Sequence, residues 1–290
     1  MKIRDLLKNK KPTFSCEFYP PKTEEGMAQL FETVRALKVL DPGYVSVTYG
    51  AGGGTKDKTV QIVQKIKSEI GIEAMAHLTC VGHSQKELKE ILDQIQSAGI
   101  ENIIALRGDP PQGEKSFVAH SNGFKNGWQL TEFIRKHYNF CIAVAGYPEG
   151  HIEARNKEED WDYLAQKVKC GADFIVTQLF FENREFFDFE RAIRARGITV
   201  PIIPGIMPIT NFNQILKFTQ MCGAKIPKKL IRELEPIQND KEALLEKGVS
   251  YATAQCRELL ARGVPGIHFY TLNKSKSTLK IIKNLENGIV

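Results

Sequence analysis

An acid stands near the end of a short apolar run, FSCEFYPPKTEEG, in which two prolines stop whatever extended structure precedes them. Side chains alternate along an extended chain, so Ser15, Glu17 and Tyr19 share one face and Phe14, Cys16 and Phe18 the other. A carboxyl with apolar neighbours is expected to keep its proton, because desolvation disfavours the anion, and a neutral carboxylic acid is suited to proton donation. Other polar side chains stand at the far ends of similar runs: Thr48 and Tyr49, His77 and Thr79, Arg107 and Asp109, Tyr147 with Glu149 and His151, Gln178, and Tyr270 with Asn273 and Lys274. Any one of them could be a cap or a satisfied core group, a lone histidine such as His77 above all. Together they outline one polar mouth.

Residue types narrow the chemistry at such a mouth. Neither HExxH nor a paired CxxC points to a metal, and no GxSxG or matching Cys pattern points to a covalent nucleophile. Glycoside hydrolysis stays open as the alternative, with Glu17 facing Asp109 or Glu149, although Trp128 and Trp161 are the only tryptophans available as sugar platforms. The net charge of +6 is spread as mixed Lys and Glu, as in SQKELKEILDQ, so a nucleic-acid partner is not expected, while anionic ligands would be mildly attracted. Six cysteines without CxxC pairing, several in apolar runs such as FCIAVAG, read as reduced core residues of a cytoplasmic protein. MKIRDLLKNKKP lacks the apolar core of a signal peptide and no run is long enough to span a bilayer, so a membrane partner is not expected.

These side chains must be held by elements, and the punctuation of the chain suggests which. Eight short runs read as strands, starting at Thr13, Tyr44, Glu73, Asn102, Cys141, Asp173, Val200 and Gly266. Between them lie stretches of helical period; in KDKTVQIVQKIKSEI, Ile62, Val63, Ile66 and Ile70 form one apolar stripe. Gly99, Gly197 and Gly263 follow such stretches as helix ends prefer. Eight apolar strands alternating with helices predict an α/β fold, a (β/α)8 TIM barrel in a single domain over residues 1–290. An open doubly wound sheet is the runner-up, weakened because no GxGxxG follows the first strand. The glycine-rich GAGGG from Gly50 follows the second strand and serves either a turn or a close ligand.

The segments FSCEFYPPKTEEG, YVSVTYGAGGGTKDKT, AHLTC, ALRGDPP, AGYPEGH, TQLFF, PIIPGIMPITNFNQ and HFYTLN, in this order, resemble the successive signatures of the 5,10-methylenetetrahydrofolate reductase family. The resemblance runs from about Phe14 to about Lys274, and it is to the bacterial form without a C-terminal regulatory domain. It implies a flavin-bearing barrel that reduces the methylene group bridging two folate nitrogens to a methyl group, supplying methyl groups for methionine synthesis or a related pathway. Glu17 resembles the family's general acid, which protonates N10 so that the five-membered ring opens to an iminium ion at N5. An amine leaves far more easily once protonated, which gives the acid on this strand a use.

The same resemblance implies the remaining roles. Flavin contacts fall on Tyr49, Ala51, His77, Arg107, Gly108 and Asp109, and on Ala145, Tyr147, His151, Ala154, Asp160 and Lys167. Arg107 and Lys167 would offset pyrophosphate charge, Gly108 would admit the ring system, and Asp109 would tune hydride transfer while accepting from the pterin amino group. Gln178, Gln214, Phe218 and Lys274 fall at substrate positions, with Thr48 and Gln178 also near the nicotinamide. Lys274 stands where relatives often carry Arg and gives up bidentate geometry. Tyr163 and Gln166 replace residues that hold the adenine end in relatives, so FAD is the expected cofactor with FMN open. In the loop after Asp109 the flavin contact falls on Phe124 or Asn126 equally. The electron donor is NADH, NADPH or a partner flavoprotein or iron-sulfur protein, and a homo-oligomer is expected.

Overall fold

The computed structural model describes residues 1–9, 11–49, 56–110 and 117–288. The GAGGG stretch, and Ala51 within it, lie outside the described residues. All eight runs become strands: β1 (Thr13–Phe18), β2 (Tyr44–Val47), β3 (Ala74–Thr79), β4 (Asn102–Leu106), β5 (Cys141–Gly146), β6 (Phe174–Thr177), β7 (Ile202–Ile203) with β8 (Gly205–Ile206), and β9 (Gly266–Tyr270). The seventh run is split because Pro204 has no N–H to offer a ladder. All pairings are parallel, in the order β7-β6-β5-β4-β3-β2-β1-β9-β8. The two ends of this order are the halves of one stretch, so the sheet curls round on itself as a nearly closed barrel. The open doubly wound alternative is thereby excluded.

Helices α1 (Ile3–Leu6), α2 (Glu24–Leu37), α3 (Lys56–Lys65), α4 (Gln85–Ser97), α5 (Gly127–His137), α6 (Lys157–Lys169), α7 (Asn183–Ala195), α8 (Phe212–Cys222), α9 (Lys228–Leu234), α10 (Lys241–Ala261) and α11 (Lys276–Glu286) accompany the strands. Ile62, Val63, Ile66 and Ile70 are all buried, as the stripe requires, although the last turn, Ile66–Ile70, winds as a π-helix before Gly71. Capping explains where several helices start. The Ser84 hydroxyl accepts from the Glu87 amide and the Glu87 carboxylate accepts from the Ser84 amide, which fixes the first turn of α4. No stretch of helical period is read from the sequence over α1, α9 or α11. The reason is plain for α1, a single turn with one buried side chain, Ile3, which makes no repeating pattern.

Alternation on the strands divides the core into two layers. Outward side chains such as Cys16, Phe18, Val45 and Val47 pack under the helices. Inward ones at the N-terminal end of the barrel form a smaller cluster of Tyr44, Met75, Ile104, Phe174 and Val176, sealed by Ile3 of α1 and by Leu7, the residue that caps it. Ascending the inner wall the side chains turn polar, from Ser15 and Ser46 to His268, His77 and Glu17. The polar end is where the chemistry must lie.

Candidate active site

Two adjoining cavities of about 610 and 460 Å³ open at the C-terminal ends of the strands. Their shared wall includes Glu17, Thr48, Asp109, Tyr147, Gln178 and Tyr270. Glu17 is thus set where the cavities meet, with its backbone carbonyl held by the Thr271 hydroxyl at 2.6 Å. Its carboxylate does not face apolar groups. His77 Nε2 of β3 lies 3.3 Å from Oε2 and His268 Nε2 of β9 lies 3.4 Å from it, while the Ser46 hydroxyl of β2 donates at 3.5 Å. The His77 contact is at ion-pairing distance.

The expectation that Glu17 keeps its proton therefore has to be corrected. Burial does push the carboxyl upward, but the imidazoles of His77 and His268 outweigh it and hold the carboxyl down, at about 2. The apolar neighbours in sequence, Cys16 and Phe18, point outward to the helix layer, and the groups that face Glu17 come from other strands. Of the two carboxylates that glycoside hydrolysis would set against Glu17, Glu149 lines neither cavity and Asp109 shares the wall with Glu17.

The larger cavity carries most of the residues expected to meet a flavin: Tyr49, His77, Arg107, Gly108, Asp109, Ala145, Tyr147, His151, Ala154, Asp160 and Lys167 all line it. Its charged groups are arranged in a way the sequence did not suggest. Arg107 is held in a bidentate pair by Glu153, at 2.6 and 2.9 Å, so an anion brought to Arg107 must displace or share that carboxylate. Lys167 donates to the Ala145 carbonyl at 2.6 Å, and burial pulls its ammonium down to about 8. Burial raises the Asp160 carboxyl and lowers His151, whose ring stands edge-on to Tyr147 at 4.7 Å.

These residues fit an anionic, polyhydroxylated cofactor. Asp160 Oδ2 and Thr79 Oγ1 are buried and find no hydrogen-bond partner among the described residues, so each can receive one from a ligand. Gly108 adopts φ +91°, and a Cβ there would come within 2.6 Å of Val81 Cγ1, so only glycine keeps this stretch of wall open.

Other expected positions are distributed as follows. Phe218 of α8 lines the smaller cavity, and Thr48 and Gln178 line both. Gln214 lies in the first turn of α8, where its amide bonds the Asn211 cap, and Lys274 is exposed just beyond β9; neither lines these two cavities. Asn126 lies on the larger cavity's wall, whereas Phe124 is buried against Phe133. Tyr163 lines that cavity too, and Gln166 does not. Sequence reasoning missed His268, Ser46 and Glu153. Alternation along GIHFYTL, which sets His268 and Tyr270 on one face, was the available signal for the first.

The chain is also similar to known proteins. The sequence pattern described as methylenetetrahydrofolate reductase matches residues 2–286. "Methylenetetrahydrofolate reductase (NADH) 1" of Arabidopsis thaliana is 42% identical over 98% of this chain and 50% of its own length. "5,10-methylenetetrahydrofolate reductase" of Pectobacterium carotovorum subsp. carotovorum is 37% identical over 93% of this chain and 89% of its own. The chain spans about half the length of the plant relatives it matches. Among solved structures, a Clostridium thermocellum protein described as binding two copies of 5-methyl-5,6,7,8-tetrahydrofolic acid superposes with a TM-score of 0.63 at 18% identity, covering 99% of this chain and 98% of that one, which speaks for the fold alone. With the family pattern spanning nearly the whole barrel, and relatives aligned at about two residues in five, the chain belongs to the methylenetetrahydrofolate reductase family.

Proposed function

We propose that this chain uses a bound flavin to reduce 5,10-methylenetetrahydrofolate to 5-methyltetrahydrofolate, with Glu17 as the general acid. Family membership supports the substrate and the reduction. The observation that supports the acid is the position of Glu17, on the wall common to both cavities and within 3.4 Å of two imidazoles. FAD is the flavin we propose. Arg107 and Lys167 would meet its phosphates, Asp160 a sugar hydroxyl, and Gly108 with Asp109 the edge of its ring system. When bound, a flavin supplies the hydride.

The chain's own task is to make the methylene carbon receptive. Carbon bound to two saturated nitrogens is inert to hydride until one nitrogen leaves, and the nitrogen leaves as a protonated amine. In the free site Glu17 is ionised beside His77 and His268. Substrate covering Glu17 excludes water, and a buried charge costs more in the drier site, so the carboxyl takes up a proton from solvent as substrate binds. Glu17 then passes the proton to N10 and the ring opens. Asp109 accepts from the pterin amino group, Thr48 and Gln178 orient the flat ring, and Phe218 packs beside it. One wall serving folate and nicotinamide in turn predicts ping-pong kinetics. NADH is the donor that the names of the plant relatives favour, and the product would feed methionine synthesis or another methyl-forming pathway.

The purified protein should absorb in the visible blue, and extraction should release FAD; a colourless protein that stays so after incubation with FAD or FMN would end the proposal. For Glu17→Gln the expected result is bleaching by NADH, NADPH or dithionite as in the parent. Recolouring by methylenetetrahydrofolate should be slowed by about a hundredfold or more. Equal damage to both half-reactions in anaerobic stopped-flow would give Glu17 another role.

A further inference from the structure

Beyond β9 the chain turns through a conformation that its residue types do not favour. Leu272 and Asn273 follow one another at φ +51° and +57°, in the left-handed region. Among the described residues every other positive φ belongs to glycine, except at Asp41. Asn and Asp tolerate this region through their short polar side chains, but in leucine the Cβ crowds a backbone carbonyl oxygen. A turn that only reversed the chain would be served by glycine, which adopts this conformation without strain. The backbone at Leu272 is therefore held against its own preference, by groups that can be named.

Asn273 supplies the hold. The β1–β9 register ends at Glu17 and Tyr270, and the Thr271 hydroxyl extends it by donating to the Glu17 carbonyl at 2.6 Å. Beyond that point the side-chain amide of Asn273 takes over from the backbone of β9. The Tyr19 amide donates to Oδ1 at 3.0 Å and Nδ2 donates to the Tyr19 carbonyl at 2.9 Å, the two bonds that a neighbouring strand would give. Pro20 and Pro21 follow without an N–H, so Tyr19 is where this stretch can last be gripped through an amide. The Lys274 amide closes the corner behind the clamp, donating to the Thr271 carbonyl at 3.0 Å. Asn273 itself lines neither cavity. Tyr19 and Leu272, the residues it holds, both line the smaller one, together with Phe218.

We infer that Asn273 is a positioning residue for the substrate, which clamps Tyr19 and holds Leu272 in its strained turn so that these two side chains form one rim of the smaller cavity. This rests on the reading of that cavity as the folate side. Strain of this kind persists only where the surrounding bonds over-determine it, and it keeps a side chain where a relaxed backbone would not put it. Without the clamp the Leu272 backbone relaxes out of the left-handed region, the Tyr19 amide loses its partner, and the rim parts. Arg107, Asp160 and Lys167 line only the larger cavity and are held by other elements, so the flavin side stays as it is.

The test begins without substrate. Hydrogen exchange of the Tyr19 amide is followed by NMR in the full-length protein labelled with nitrogen-15 tyrosine, and assigned by the signal missing from Tyr19→Phe. Exchange should quicken by about tenfold or more in Asn273→Ala and in Asn273→Gly. The glycine variant accepts the left-handed backbone and lacks only the clamp. Leu272→Gly should unfold at a higher denaturant concentration than Leu272→Ala, the reverse of the order at an unstrained site. In anaerobic stopped-flow, the methylenetetrahydrofolate concentration for half-maximal recolouring should rise about fivefold or more in both Asn273 variants. The limiting rate should stay within about twofold, and dithionite bleaching should match the parent. Parent-like exchange, or a parent-like half-maximal concentration, in either folded Asn273 variant overturns the inference. So does Leu272→Ala outlasting Leu272→Gly, whether or not the Asn273 variants fold. If exchange and the Leu272 order come out as expected while the parent never recolours, the clamp stands and the folate reading falls. A parent that recolours beside Asn273 variants with unmoved half-maximal concentrations has the opposite meaning.

Discussion

Lys167 and Glu17 are both ionisable side chains inside one barrel mouth, and their surroundings treat them oppositely. Glu17 faces imidazoles and is held ionised, whereas Lys167 faces a carbonyl and loses charge to burial, down to about 8. A phosphate brought beside Lys167 would restore its proton affinity. The sign follows from this. Below about 8 the ammonium is already present and binding takes up nothing, whereas between about 8 and the ordinary lysine value of 10.5 the free site is neutral and the occupied one charged. FAD binding to the apoprotein should therefore take up a proton in that interval, read as a dependence of calorimetric heat on the buffer's ionisation enthalpy. Lys167→Met should abolish the uptake. Heats that do not depend on the buffer in the parent protein would place the phosphates elsewhere.

Among the elements, the split strand is the place where closure is decided. Gly205 opens β8 and donates its amide to the Thr177 hydroxyl of β6 at 2.9 Å, while the Tyr270 hydroxyl of β9 donates to the Thr177 carbonyl at 2.7 Å. A Cβ at position 205 would come within 2.2 Å of that carbonyl and 2.7 Å of the Tyr270 ring. The obstruction is backbone, which cannot rotate aside as a side-chain end would. Gly205→Ala is expected to destabilise the fold by about 1–3 kcal/mol, the range for overpacking a filled interior. Because Tyr270 lines both cavities, flavin retention should fall with it. Denaturant titration checks the first effect and the absorbance ratio of flavin to protein the second. Parent-like stability would mean the seam is looser than these distances require.

As a whole, the barrel is sealed by apolar packing at one end and open and polar at the other. The seal is α1, whose Ile3 is fully buried on the inner cluster beside Tyr44, Met75 and Phe174. Arg4 anchors the same turn through Asp173, which also takes Arg135 of α5. Ile3→Ala removes a side chain from a site that the strands cannot collapse to fill, and it should cost about 2–5 kcal/mol. The flavin spectrum should keep its shape, because the substitution lies at the opposite end from the cavities. Thermal unfolding with and without FAD measures both. An unchanged midpoint would mean the first turn is an ornament on an already closed barrel.

The strands and their inward faces were legible in the chain because period-two alternation and turn residues are local properties, and the barrel followed from counting them. Glu17, Arg107, Lys167 and Gln178 could be placed at strand ends by the same reasoning, and ordered signatures attached them to a family. What the chain could not disclose was how residues far apart in number face one another. The protonation of Glu17 is set by His77 and His268, 60 and 251 positions away, and the expectation drawn from Cys16 and Phe18 had the wrong sign because those neighbours point outward. The pairing of Arg107 with Glu153 is likewise the work of two separate loops. Periodicity fixes which way a side chain points, but its electrostatic environment is assembled by closure of the barrel, and only the tertiary structure supplies that.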